Sequence, residues 1–151
     1  MKVGILTYHR SNNVGAVLQN YALQQVLNKY GVENETIDYK CDFIEQNNRI
    51  LFGKNLKANL KKLIELNTLI KREHKFKEFR KKYLLISPKV YSQSSIQNSN
   101  EIYDLFISGS DQVWNMKLNR EDYNYFLKFV KDDSKKIAYA ASFGYSVIPN
   151  E

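Results

Sequence analysis

The sequence predicts an α/β domain built on a parallel β-sheet with flanking helices, and three observations support this fold class. The first 40 residues read as strand, polar loop, helix and strand, which is one βαβ unit with a right-handed crossover. The first strand, 2–8, has apolar residues on both faces, as expected of a strand that is covered on both sides. Two later strands, 103–108 and 135–141, lead into small and polar residues.

The first helix is predicted to begin at Val14 and to stop at Gly31, with a second strand at 35–39. Asn12 or Asn13 can cap its first turn, because a side-chain oxygen there accepts a hydrogen bond from a free backbone N–H group. Apolar residues recur along it at helical spacing: Leu18, Tyr21, Ala22 and Val26.

The middle of the chain, about 42–88, is predicted to be a helical excursion from this alternation. Two helices are expected, at 55–70 and 71–83. Their predicted inward faces are Leu56, Leu60, Leu63 and Ile64 in the first, and Phe76, Phe79 and Tyr83 in the second. Further along, 92–100 is predicted to be a loop with a short helical turn, and 123–129 alternates aromatic and polar residues as a short strand would.

Length and composition fit one ordinary globular domain of 151 residues. The single cysteine, Cys41, excludes an internal disulfide and offers no cysteine metal cluster, so no metal site is predicted and a reduced cytoplasmic setting is expected. No apolar run approaches the roughly 20 residues that cross a bilayer. The N-terminus is interrupted too soon for a signal peptide. Peripheral association with the inner face of a membrane is left open.

The net charge of +7 favours anionic partners, and much of the excess lies in 54–82. A lysine-rich helix is commonly just a solvated face, and His74 in its midst is expected to be exposed. A basic nucleic-acid-binding domain is a weaker interpretation, because aromatic residues do not interleave with the basic ones as stacking platforms. Nucleic acid is therefore not an expected partner.

The most informative stretch is 105–115, where an apolar run opens into small and polar residues. Gly109 allows a sharp turn or a close approach to a ligand. Four neighbours carry groups that bind sugar hydroxyls or small anions: Ser110, Asp111, Gln112 and Asn115. The alternative is a tight turn capped by Asp111, with Trp114 folded back as a hydrophobic lid.

Three polar loops are predicted to meet at one edge of the sheet: 9–15, 109–115 and 142–144. They follow parallel strands, whose carboxyl ends share an edge. The helix that starts near Val14 would direct free N–H groups at the same edge, where they suit a phosphate or carboxylate. The first loop has a single glycine, Gly15, and no Gly-Lys-Ser/Thr, so a nicotinamide or ATP site is not indicated.

Asp111 is the best candidate for a general base, because a carboxylate beside apolar neighbours can take a proton from a hydroxyl when burial tunes it. His9 is a weaker candidate for proton transfer. The alternative for His9 is a hydrogen-bonded surface residue, and for Asp111 a turn cap.

Five blocks, in order across nearly the whole chain, resemble the N-terminal half of the polysaccharide pyruvyl transferase family. They are GILTYH at 4–9, NNVGAVLQ at 12–19, IDY at 37–39, FISGSDQVWN at 106–115 and AYAASFG at 138–144. The GSDQVWN part is the most specific, and the first strand alone would mean little.

The resemblance implies a Rossmann-like lobe of a two-lobed fold similar to the GT-B glycosyltransferases, with the active site in the cleft. It implies transfer of the enolpyruvyl group of phosphoenolpyruvate onto a sugar hydroxyl in exopolysaccharide biosynthesis for the bacterial cell envelope, with no further cofactor. The acceptor would be a sugar or a lipid-linked glycan, and the donor would be held mainly by a C-terminal lobe. Because no helix follows the last strand, residues 1–151 are expected to be the N-terminal lobe alone, inactive by itself.

The same resemblance assigns an acceptor-side wall to residues of the three loops. These are Asn12, Asn13, Gly15, Gln19, Gly109, Ser110, Gln112, Trp114, Asn115, Ser142, Phe143 and Gly144.

Overall fold

A computed structural model describes residues 1–48 and 56–146, with the side chains of 46–48 and 56–64 left out of the description. The strands are β1 (Lys2–Leu6), β2 (Glu33–Tyr39), β3 (Ile86–Tyr91), β4 (Leu105–Asp111) and β5 (Lys136–Ala141). The α-helices are α1 (Val14–Lys29), α2 (Asp42–Asn48), α3 (Leu56–Tyr83) and α4 (Met116–Asn119). Short 3-10 helices span Ile96–Glu101, Tyr123–Phe126 and Asp133–Lys135.

The five strands form one parallel sheet in the order β3-β2-β1-β4-β5. The chain builds outward from β1 to β3, returns to the other side of β1, and builds outward again through β4 and β5. This is a Rossmann-like arrangement, and it confirms the predicted α/β fold class. The direction of winding changes between β1 and β4, which is the place where such sheets bind ligands.

Side chains of the two central strands alternate between two buried layers. Ile5 and Ile107 face one layer and pack with Leu23 of α1. Leu6 and Phe106 face the other layer, which Tyr125 and the segment that links β4 to β5 help to fill. The prediction that the first strand is covered on both faces is therefore confirmed.

Helix α1 begins and ends as predicted, but its predicted apolar stripe is not the face that meets the sheet. Asn13 is the N-cap, and its side chain accepts from the backbone N–H of Ala16. The buried face consists of Ala16, Val17, Asn20, Leu23 and Gln24, whereas Leu18 and Val26 are about half exposed.

Buried polar residues explain why a face other than the predicted one meets the sheet. Asn20 donates to the Thr36 hydroxyl of β2 at 2.9 Å, and Gln24 donates to the carbonyl of Leu85 at 2.6 Å. Because two amides occupy the sheet-facing stripe and find buried partners there, a search for apolar spacing selects a neighbouring stripe instead.

Three further predictions about the middle and the end of the chain need correction. A single 28-residue helix, α3, replaces the two predicted helices. Strand β3 lies where the helical excursion was expected to end, and its Pro88 is tolerated because β3 is an edge strand. The predicted strand at 123–129 is a 3-10 helix followed by turns, capped by Asp122 and ended by Leu127 at φ 58°.

The predicted inward residues of α3 can be judged only in its second half. Phe79 and Tyr83 pack against Tyr21 of α1, with ring centroids 6.0 and 6.1 Å apart, although Tyr83 stays partly exposed. His74 is exposed, as predicted. The first-half residues Leu56, Leu60, Leu63 and Ile64 lie outside the described side chains. In the described ranges, no helix has both the length and the apolar character to cross a membrane.

Candidate functional site

The first two predicted loops lie side by side at the carboxyl ends of β1 and β4, and Gln19 of α1 joins them. Its side-chain amide donates to the hydroxyl of Thr7 at 2.8 Å. Its side-chain oxygen accepts from the backbone N–H of Ser110 at 3.1 Å. A second link runs from the Tyr8 hydroxyl to the carbonyl of Val113 at 3.3 Å. One side chain thus fixes the end of β1 to the end of β4.

The third loop joins the second through the backbone. The N–H of Ser142 donates to the carbonyl of Asp111 at 3.0 Å, and the N–H of Trp114 donates back to the carbonyl of Ser142 at 3.2 Å. Gly144, at φ 72°, lies against the side chain of Gln112, so closely that a β-carbon there would overlap the amide. The three loops therefore meet at one edge of the sheet.

Asp111 stands at the centre of this junction and is half-buried. Burial raises the pKa of its carboxyl above the ordinary value, and the N–H of Gln112, which donates to it at 2.7 Å, only partly opposes that rise. Within the described parts of the chain, Asp111 forms no ion pair. A carboxylate of this kind is a stronger base than an exposed one.

The aromatic and amide residues that follow Asp111 shape the rim. Trp114 stacks on Phe126 with ring centroids 5.4 Å apart, and Phe143 lies 5.5 Å from it. Asn115 is buried; its side chain caps α4 and donates to the amide oxygen of Gln112 at 3.1 Å. Trp114 therefore packs back on an aromatic neighbour as the alternative interpretation expects, but Asn115 rather than Asp111 caps the turn that follows. Gln112 remains exposed.

The first loop is also fixed from behind by α3. Arg80 donates to the side-chain oxygen of Asn12 at 3.2 Å, and Arg72 donates to its carbonyl at 2.9 Å. Asn13 is engaged in capping α1, and Gly15 has open space around it except for the Asn13 side chain. Gly15 and the exposed N-terminal N–H groups of α1 are thus the part of this loop most open to a ligand.

The comparison with family models yields one result, a match of the polysaccharide pyruvyl transferase model to residues 13–151. The chain belongs to the polysaccharide pyruvyl transferase family. No curated protein matches it, and no solved structure does. The family establishes a transferase, and its match includes the three loops from Asn13 onward.

His9 of this family member lies away from the junction, in a buried polar cluster beneath the ends of β1 and β2. It is only 1 % exposed. Its Nε2 lies 2.9 Å from Asp38 Oδ1, and its Nδ1 lies 3.3 Å from the carbonyl of Thr7. Arg10 donates to both oxygens of Asp38, at 2.7 and 3.0 Å. The alternative of a hydrogen-bonded histidine is right about the bonds, but the residue is not on the surface.

Asp38 was not singled out from the sequence, yet it is the carboxylate that bonds to both His9 and Arg10 in this cluster. Burial alone would raise its pKa, but hydrogen bonds and charges from His9 and Arg10 outweigh burial and lower the pKa from 3.8 to about 2. In sequence it is one acid in a predicted strand, and only the alignment of β1 with β2 brings it to His9.

We expect Asp38→Asn to flatten the pH dependence of stability in acid. Because the folded-state pKa lies below the unfolded value, the carboxylate stabilises the fold fully above pH 4 and loses that effect as the pH falls through about 2. The amount at stake is about 2 kcal/mol. Urea unfolding between neutral and strongly acidic pH should show the wild type losing that much more than the variant. Parallel curves would mean that Asp38 is not tuned by its neighbours.

A cavity of about 720 Å³ lies over the carboxyl ends of β2 and β3. One wall carries Arg120, whose guanidinium lies over the ring of Phe43 at 4.5 Å. Another carries Asp122, which accepts from the Tyr39 hydroxyl at 2.5 Å. Its lining comes from three segments that are distant in sequence, so no local sequence pattern could have predicted it. It adjoins the same sheet edge as the loop junction.

Proposed function

We propose that this chain is the acceptor-side lobe of a pyruvyl transferase that moves the enolpyruvyl group of phosphoenolpyruvate onto a sugar hydroxyl and, with a second hydroxyl of that sugar, forms a pyruvyl ketal. The acceptor would be a cell-surface polysaccharide or its lipid-linked precursor. The observation that carries the proposal is the meeting of three loops around the half-buried carboxylate of Asp111, at the change of winding between β1 and β4.

The chemistry needs a base on the acceptor side. Two sugar hydroxyls form two C–O bonds to the central carbon of the donor, and the bond from that carbon to the phosphate oxygen breaks. One hydroxyl proton ends on the methylene carbon, which becomes a methyl group, and the other leaves with the phosphate as hydrogen phosphate. A carboxylate that removes the first hydroxyl proton raises the nucleophilicity of the attacking oxygen.

Asp111 suits this role because its basicity is raised and no cation of the described residues forms an ion pair with it. Burial raises the pKa of its carboxyl, as an acceptor-side base requires. The neighbouring Gln112 is exposed and offers an amide to a second hydroxyl. Gln19 acts as a positioning residue, because it holds Ser110 and Thr7 in place.

The donor calls for a second binding surface. A departing phosphate is stabilised by cations or by N–H groups that face it from the side opposite the base. We propose that a C-terminal lobe supplies that surface in a GT-B-like pair, that residues 1–151 form a single N-terminal lobe, and that this lobe alone does not turn over. No further cofactor enters the scheme, and the reaction would take place in the cytoplasm.

A non-catalytic glycan-binding or small-anion-binding module is the second candidate. The observation that favours it is the self-contained bonding of the rim: Gln112 is tied to Asn115, and Ser110 to Gln19. A rim whose polar groups already have hydrogen-bond partners can present a rigid face to a ligand without catalysing a reaction.

A transfer assay separates the two candidates. The full-length gene product would be incubated with phosphoenolpyruvate and a panel of methyl glycosides that offer neighbouring hydroxyl pairs. Phosphate release would be measured together with product mass. Transfer to at least one glycoside supports the proposal. Saturable glycoside binding without phosphate release, for both the full-length product and residues 1–151, would favour the binding module and contradict the proposal of an enzyme.

A further inference from the structure

Helix α3 carries the whole net charge of the chain. Its sequence holds ten lysine and arginine residues and three glutamates, a net of +7. The chain has 23 basic and 16 acidic residues, so removing those of α3 leaves 13 of each. The rest of the molecule is therefore electrically balanced, and the attraction to an anionic partner comes from one element.

An apolar groove of about 500 Å³ runs between this helix and α1. Its floor is made by Val17 and Leu18 of α1 and by Phe76 and Phe79 of α3. Leu18 is 48 % exposed there, and Val14, at the mouth of the groove, is more exposed still. Val14 and Leu18 are thus open to solvent beside the most basic element of the fold, and Val17 beneath them is buried.

Basic side chains line the α3 side of the same groove. Lys71 and Lys75 line it, are exposed, and form no ion pair with any described residue. Arg72 lies between them with its guanidinium 5.8 Å from the ring centre of Phe76. An apolar floor bordered by unpaired cations matches an amphiphile that has an anionic head and an apolar body.

We propose that the groove between α1 and α3 docks the protein on an anionic lipid bilayer. Lysines near such a surface gain from the negative potential of its headgroups, and apolar side chains gain by entering the boundary below them. A nucleic acid would use the cations but would leave the aliphatic floor exposed to water. The lipid surface uses both parts of the groove.

The docking surface adjoins the candidate site. Val14 at the mouth of the groove belongs to the first loop, and Arg72 and Arg80 of α3 donate hydrogen bonds to Asn12 of that loop. Docking would place the first loop beside the membrane, where a lipid-linked glycan is located. The inference itself does not depend on pyruvyl transfer, since vesicle binding is measured without any donor or acceptor.

Vesicle flotation tests the proposal. The protein would be mixed with phosphatidylcholine vesicles, either alone or containing phosphatidylglycerol, at low and high salt. We expect binding to the anionic vesicles only, weakened by salt. The double variant Lys71→Gln/Lys75→Gln should weaken that binding about tenfold or more. Leu18→Ser, which leaves the charge unchanged, should weaken it by about tenfold as well if the floor enters the lipid.

Lys128→Gln/Lys131→Gln is the matched control, because it removes the same charge from exposed lysines outside the groove. It should stay within about twofold of the wild type if the groove is the docking surface. An equal loss of vesicle binding in the control, or no effect of Leu18→Ser, would mean that general charge attraction and not docking through the groove causes binding. Absence of binding to anionic vesicles, with retained binding to duplex DNA or to an acidic helical peptide, would overturn the lipid partner. Circular dichroism checks that each variant is folded.

Discussion

Asp111→Asn is expected to reduce pyruvyl transfer by the full-length protein about 10²- to 10⁴-fold, the range typical of losing a general base. The amide keeps the shape of the side chain and can still occupy its place at the loop junction. It cannot remove a proton. The carbonyl of Asp111 that receives the N–H of Ser142 belongs to the backbone and is unaffected. The loss should therefore fall on kcat, with the unfolding midpoint close to that of the wild type.

The pH profile gives a second readout of the same residue. Burial raises the pKa of Asp111, and the base must be deprotonated to act. As the pH is lowered, kcat/KM should therefore begin to fall at a higher pH than an ordinary aspartate, with a pKa near 4, would produce. In Asp111→Asn this acid limb should disappear from the residual rate.

Asp133→Asn is the matched control for that experiment. Asp133 is a highly exposed carboxylate just before β5, at the opposite edge of the sheet from the junction. The same chemical change there should leave both the rate and the pH profile unaltered. Wild-type turnover by Asp111→Asn, or an equal loss in the control, would remove Asp111 from the mechanism.

The parts of the fold that could be predicted from sequence are those in which a local signal and the tertiary structure agree. Strand β1 is apolar on both faces and is buried on both. Asn13 and Gly31 mark the two ends of α1 by capping chemistry that needs only neighbouring residues. The meeting of the three loops follows from parallel strands sharing an edge, and the contacts of Ser110 and Ser142 confirm it.

The parts that could not be predicted depend on partners distant in sequence. The inward face of α1 carries Asn20, whose buried partner Thr36 belongs to the next strand. His9 is buried with its Nε2 against Asp38, which is distant in sequence, and no residue near His9 in the sequence indicates that pairing. Pro88 argues against a strand unless β3 is already known to lie at the edge. In each case the deciding information is which elements lie next to each other.

Gly109→Ala is expected to destabilise the fold by about 3 kcal/mol or more, a large share of the stability of a domain this size. Gly109 has φ 122°, a conformation that residues with a β-carbon rarely adopt. An added β-carbon would also overlap the carbonyl oxygen of Tyr139, its partner on β5. The obstructing atom is backbone, so β5 must shift or the peptide must rotate.

Gly31→Ala separates the two causes, because Gly31 also has a positive φ, of 69°, but its β-carbon would meet nothing. We expect that control to lose only about 1 kcal/mol in urea unfolding. Equal losses would mean that the backbone conformation alone sets the loss of stability, and that the overlap with the carbonyl oxygen of Tyr139 on β5 contributes nothing. If the overlap decides it, the displaced β5 also carries Ser142 away from Asp111. Gly109→Ala in a full-length background should then lose transfer activity even at temperatures where most of the protein remains folded.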